Sequence, residues 1–162
     1  MTILLVRHGS AGDRYCWSGD DADRPLDATG TNEAICLADE IDDLLAGRPL
    51  IQVRSSRATR CLQTVGPAAA RHDLEPQVDP ALFEGASSAM ADVVRQLALA
   101  EGADQQVVVL CSHADAIPEV VRSAVSEGAG LSGGRGCAYA SIWELTVASG
   151  AVAHAHYHQR SQ

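Results

Sequence analysis

Short continuous apolar runs alternate along this chain with stretches whose apolar residues recur every three or four positions. The first run, Thr2–Val6 (TILLV), reads as a strand covered on both faces, because a solvated face would show polar alternation. Gly12–Arg24 is polar and rich in Gly and Asp, and reads as a loop. Ala34, Leu37, Ala38, Ile41, Leu44 and Leu45 share one face of a helix that opens near Asp27–Gly30 and stops at Gly47 and Pro49. Leu50–Val53 is a second strand. Ser55 and Ser56 are N-cap residue types, ahead of a helix with Ala58, Cys61, Leu62 and Val65 on one face. Gly66-Pro67 is expected to kink or interrupt that helix before Ala68–Asp73 resumes it.

Glu75–Leu82 holds Pro76 and Pro80 and reads as an extended linker or edge strand. Met90, Val93, Val94 and Leu97 mark a third helix after Ser87-Ser88, and Ile117, Val120, Val121, Ala124 and Val125 a fourth. Between them Val107–Cys111 (VVVLC) is the clearest buried strand. Gly128–Gly136 reads as a flexible loop. Tyr139–Val147 and Ala151–His158 read as a closing hairpin around Ala148-Ser149-Gly150. Strands and helices in this alternation predict an α/β fold, a three-layer α/β/α sandwich with a mostly parallel central sheet.

A length of 162 residues fits one domain, 1–162, and suffices for a core without disulfides or metal. The net charge of -9 argues against nucleic acid and against an anionic membrane surface as partners. Every basic residue is Arg, which excludes a Schiff-base or P-loop Lys. Five widely spaced Cys with no CxxC read as reduced thiols, and with no signal peptide ahead of the first strand the expected location is cytoplasmic.

Ligands of open α/β sheets bind beyond the carboxyl ends of the strands. Arg7-His8-Gly9 follows the first strand, Arg54 to Arg60 the second, and Ser112-His113 the VVVLC strand. Two His and several Arg at one rim of an acidic protein form an anion trap, and phosphate suits guanidinium forks. No ligand set for magnesium or zinc is apparent, and no cofactor is expected.

The motifs Leu5-Val6-Arg7-His8-Gly9, Pro25-Leu26 with Gly30, Ser55-Ser56-Arg57-Ala58-Thr59-Arg60-Cys61-Leu62-Gln63-Thr64, Leu82 with Glu84, and Ser112-His113 together resemble the histidine phosphatase superfamily. The short, capless chain looks most like its SixA-type phosphohistidine phosphatases. Gly19-Asp20-Asp21 to Arg24-Pro25-Leu26-Asp27 is also similar to the phosphatase domain attached to some MutT-like Nudix hydrolases. The resemblance implies a phosphoglycerate-mutase-like sheet and a metal-independent phosphatase. It implies His8 as the nucleophile, with Arg7, Arg60 and His113 around the phosphoryl group and Glu84 in the place of a general acid. Ser10 and Arg57 are further candidates for substrate binding. The implied substrate is a phosphohistidine protein or a small phosphomonoester. Rivals are a nucleotide or sugar phosphate phosphatase and a phosphate-binding module without catalysis.

The chain departs from the family pattern in places. Arg57 stands where Pro is usual, and Ala86-Ser87 replace a Gly-aromatic stretch. Asp115 either orients His113 or caps the next helix. His154, His156 and His158 alternate on one strand face, as outward polar positions or as zinc ligands. Tyr15 and Trp17 either pack as a local cluster or line the entrance for a leaving group.

Overall fold

The computed structural model of the protein describes residues 1–100 and 105–159. Its centre is a seven-stranded sheet in the order β3-β2-β4-β1-β6-β7-β5. The strands are β1 (Thr2–Arg7), β2 (Leu50–Ser55), β3 (Gln77–Val78), β4 (Val107–Ser112), β5 (Gly130–Ser132), β6 (Ile142–Ala148) and β7 (Ala151–His158). The neighbours on the β3-β2-β4-β1 side are parallel, and β6 runs antiparallel to both β1 and β7. The helices are α1 (Ala28–Leu45), α2 (Thr59–Arg71), α3 (Ser87–Leu99) and α4 (Ile117–Ser126).

Alternation along β1 builds both cores at once. Leu4 and Val6 point to the layer of α1 and α2, where they join Leu37, Ile41, Cys61 and Val65. Ile3 and Leu5 point to the layer of α3 and α4, with Met90, Val94, Ile117 and Val120. A strand packed by helices on both faces has no solvated side to carry polar residues, hence the unbroken TILLV. The three-layer α/β/α sandwich with a mostly parallel sheet is the observed architecture.

Three local expectations are corrected. Ser55 and Ser56 do not cap α2, which begins at Thr59 after Ala58 and without a side-chain cap. Ser55 is still in β2, and Ser56 turns its hydroxyl to the site described below. Pro67 lies inside α2 without ending it. It removes one backbone hydrogen bond, a loss of about 3 kcal/mol in an isolated helix, which burial of Cys61, Thr64, Val65, Ala68 and Ala69 offsets here. Gly128–Gly136 contains a strand, β5, paired with β7. Gly130 permits that approach, since a Cβ there would stand 2.6 Å from His154 Nδ1. Glu75–Leu82 does supply the edge strand β3, and the hairpin turns at Ser149-Gly150, both at positive φ.

Candidate active site

The register of the parallel strands delivers the chemistry. Arg7 ends β1 opposite Ser112 of β4, and Ser55 ends β2 opposite Cys111. The next residue of each strand, His8, Ser56 or His113, therefore emerges at one rim. His8 N donates to Ser112 O at 3.2 Å and Ser56 N to Cys111 O at 3.0 Å, so the backbone of this rim continues the sheet.

His8 is buried, and its Nδ1 lies 2.8 Å from the Gly9 carbonyl oxygen. A carbonyl only accepts, so Nδ1 carries the hydrogen and Nε2 of the neutral ring holds the lone pair. Burial lowers the pKa of His8 from 6.5 to about 3; the charges of His113, Arg60 and Arg7 add to this and the Gly9 bond opposes it. The sequence pointed to the neighbouring charges, and burial is the larger cause. Gly9 N donates to Thr64 Oγ1 at 2.9 Å, and Thr64 Oγ1 donates to Arg60 O at 2.6 Å, which ties the loop after His8 to α2.

Arg60 enters from the first turn of α2 and is 1% exposed. Arg7 Nη1 donates to Cys137 O at 2.6 Å, and its guanidinium lies 3.9 Å above the Tyr139 ring. His113 Nε2 meets Ser56 Oγ at 2.9 Å and Cys61 Sγ at 3.6 Å. The rings of His8 and His113 are 5.2 Å apart, edge to face. Arg7 Nε, Arg60 Nε and His113 Nδ1 are buried with no hydrogen-bond partner among the described residues. An unpaired buried donor costs about 1–3 kcal/mol. Grouped with one imidazole these groups suit an anion: both Nε donate, and His113 Nδ1 donates in the tautomer whose Nε2 accepts from Ser56 Oγ.

The structure thus brings Arg7, His8, Arg60 and His113 together. Glu84 stands at the exposed edge, its Oε2 3.8 Å from Arg60 Nη2. Arg57 is exposed at the rim, with its guanidinium 4.4 Å over the Phe83 ring. Ser10 is not brought into the cluster: its hydroxyl donates to Asp27 at 2.6 Å and its N–H to Glu33 at 2.7 Å. Asp115 takes neither expected role. Its Oδ2 accepts from Gly85 N at 2.7 Å and so anchors the loop that carries Glu84. Tyr15, 91% exposed, makes no cluster with Trp17, whose Nε1 donates to Asp20 O. Trp17 lines a shallow cleft with Arg24, Pro25 and Leu26.

Two participants escaped the sequence reading. Asp21 accepts Arg60 Nη1 at its carbonyl (2.7 Å) and holds Arg60 Nη2 at its carboxylate (3.1 Å). Cys61 lies against His113. Burial alone would raise its thiol, but hydrogen bonds with Cys111 and His113 and the charges of His113 and Arg60 bring it below the usual thiol range. No spacing marks either residue as functional. Among the described residues no group of three or more His, Cys, Asp or Glu is arranged to hold a metal ion. His154 Nε2 and His156 Nδ1 both bond Ser132 Oγ, and His158 Nε2 pairs with Glu144 at 2.8 Å. No described helix is long and apolar enough to cross a membrane.

A buried imidazole set among two arginines and a second histidine, at the carboxyl edge of this sheet, defines a class. Residues 3–92, more than half of the chain, match the histidine phosphatase superfamily (branch 1), and the chain belongs to that superfamily. It is 30% identical over 156 residues to an 8-oxo-(d)GTP phosphatase of Mycolicibacterium smegmatis, covering 96% of this chain and 47% of that protein. The chain therefore spans about half the length of this relative. Among solved structures, the fold is similar to the protein histidine phosphatase SixA complexed with tungstate, at 20% identity and a TM-score of 0.70 over 98% of this chain and 95% of that one. It is also similar to mycobacterial glucosyl-3-phosphoglycerate phosphatase, at 17% identity and a TM-score of 0.64 over 89% of each chain.

Proposed function

We propose that the protein is a hydrolytic phosphatase that passes a phosphoryl group from its substrate to His8 and then to water. The observation that carries this reading is the fixed tautomer of His8 beside three buried, unpaired donors: Arg7 Nε, Arg60 Nε and His113 Nδ1. In the first step the Nε2 lone pair forms the P–N bond while the bond from phosphorus to the leaving group breaks. The leaving group departs with that electron pair. An alkoxide takes a proton from Glu84; an imidazole already carries its own. Charge spreads over the equatorial oxygens, where the three donors stabilise it. In the second step water attacks phosphorus, its proton returning to Glu84 or staying on the phosphate where Glu84 was not used, the P–N electron pair returns to Nε2, and inorganic phosphate leaves.

The substrate in this reading is a phosphohistidine on a protein, or else a small phosphomonoester. An uncapped mouth flanked by exposed Tyr139 and Arg57 supports a bulky, protein-borne group, as does the likeness in fold to SixA. The cleft at Trp17, Arg24 and Leu26 favours the second reading, a nucleotide or sugar phosphate whose ring stacks there; it agrees with the names of the other two relatives. Because the protein's own donors hold the phosphoryl group, turnover should not need a metal ion. Initial rates on a phosphohistidine peptide, an alkyl phosphate and a nucleoside monophosphate, with and without a strong chelator, test this. Chelator-resistant turnover, fastest on the peptide, is expected. No turnover on any of them, or turnover lost to chelator and restored by zinc, would contradict it.

A further inference from the structure

Arg60 is 1% exposed, yet both of its terminal nitrogens lie against Asp21. Nη1 donates to the Asp21 carbonyl, and Nη2 forms an ion pair with the Asp21 carboxylate at 3.1 Å and lies 3.8 Å from Glu84 Oε2. Nε is buried with no hydrogen-bond partner among the described residues, as is Asp21 Oδ2. Asp21 is itself fixed. It begins a short 3-10 helix capped by Asp20, whose side chain accepts from Ala22 N. Arg24 Nε holds its Oδ1 at 2.8 Å and Arg14 stands 3.8 Å from its Oδ2. Arg24 Nη1 also donates to Ala11 O at 2.6 Å, binding this helix to the loop that follows the nucleophile. The hydrogen bond from Arg24 and the nearby guanidinium charges hold the Asp21 carboxyl below the usual range, so it is ionised wherever the enzyme would work.

This arrangement has a consequence for the substrate. A lone phosphoryl group needs Arg7, Arg60 Nε and His113. A second phosphate beside it would look for the terminal nitrogens of Arg60 and would meet two carboxylates. We propose that Asp21 is a specificity-determining residue: it selects phosphoryl groups on neutral or cationic leaving groups and rejects substrates with a second anionic group beside the scissile phosphate. The proposal rests on the phosphatase reading above and adds charge selection to it. One unit charge acting over several ångströms in a half-shielded site is enough for about a tenfold preference.

The test compares two aryl phosphates, one bearing a meta-carboxylate and one a meta-trimethylammonium group, on the wild type, Asp21→Asn and Asp21→Glu. The ratio of their kcat/KM values is insensitive to any uniform loss caused by a displaced Arg60. The ratio should favour the cationic substrate in the wild type, shrink about tenfold in Asp21→Asn, and return in Asp21→Glu. Calorimetric binding of inorganic phosphate and pyrophosphate reads the same selection without turnover: Asp21→Asn should gain about tenfold for pyrophosphate relative to phosphate. Unchanged ratios in Asp21→Asn, in turnover or in binding, would overturn the proposal. Binding selectivity without hydrolysis of either aryl phosphate would instead overturn the phosphatase reading and leave the role of Asp21 standing.

Discussion

Two acidic side chains flank Arg60 and serve different ends. Asp21 is locked by guanidinium groups, whereas Glu84 is exposed and touches Arg60 only at 3.8 Å. In the proposed mechanism Glu84 is therefore the carboxyl that meets a leaving group and gives it a proton. Glu84→Gln is expected to slow alkyl phosphates by about 10²–10⁴-fold, the usual worth of a general acid, and to leave phosphohistidine almost untouched. Rates on leaving groups of graded basicity check this; an equal loss on all of them would make Glu84 a positioning residue. The contrast between the two carboxylates was not legible in the sequence. Asp13, Asp20, Asp21 and Asp23 crowd one polar loop, and no periodicity says which of them turns inward. The His and Arg residues were legible because each directly follows an apolar strand or opens the helix after one, and the sheet register does the rest.

Among the elements, α1 is placed by its first turn. Asp27 caps it through Gly30 N at 2.7 Å and also accepts from Ser10 Oγ and Gly12 N, so the start of the helix holds the loop after the nucleophile. Gly30 lies under that loop, where a Cβ would stand 1.9 Å from Ser10 O, against rigid backbone. Gly30→Ala should therefore push the 9–12 loop outward. The expected result is a stability loss of about 1–3 kcal/mol and at least a tenfold fall in kcat/KM, read by denaturant melts and steady-state rates. A variant with wild-type kinetics would show that the loop does not need this packing. Helix α2 shows where local signals mislead. Its serines have the residue type of caps, but β2 runs on through Ser55, and Ser56 is more use bonding His113. Its proline is a breaker by local rules, and tertiary burial overrides it. Strand β5 was hidden because the glycines in and around it suggest a mobile loop, whereas Gly130 permits close approach to β7.

For the whole molecule, the buried site makes stability depend on pH. His8 has a pKa of about 3 in the fold and an ordinary value of 6.5. Between these values the unfolded chain binds a proton that the folded chain does not, so stability rises with pH across the window. The contribution of His8 is complete above pH 6.5 and is lost as pH falls towards 3. Between pH 7 and pH 4.5 this amounts to about 2–3 kcal/mol. Urea unfolding at both pH values should show the wild type losing that much more than His8→Gln, since the depressed carboxylates Asp27 and Asp42 contribute to both proteins alike. Equal losses would mean that His8 is not held neutral by the fold.

The central claim is that phosphorus passes through Nε2 of His8, and a rapid-quench experiment with labelled substrate tests it most directly. The account predicts a covalent adduct that is labile in acid and stable in base, as a P–N bond requires, mapping to His8 and absent, with turnover, from His8→Ala. An acid-stable adduct on Ser56, or one mapping to Cys61, would contradict it, as would full turnover by His8→Ala.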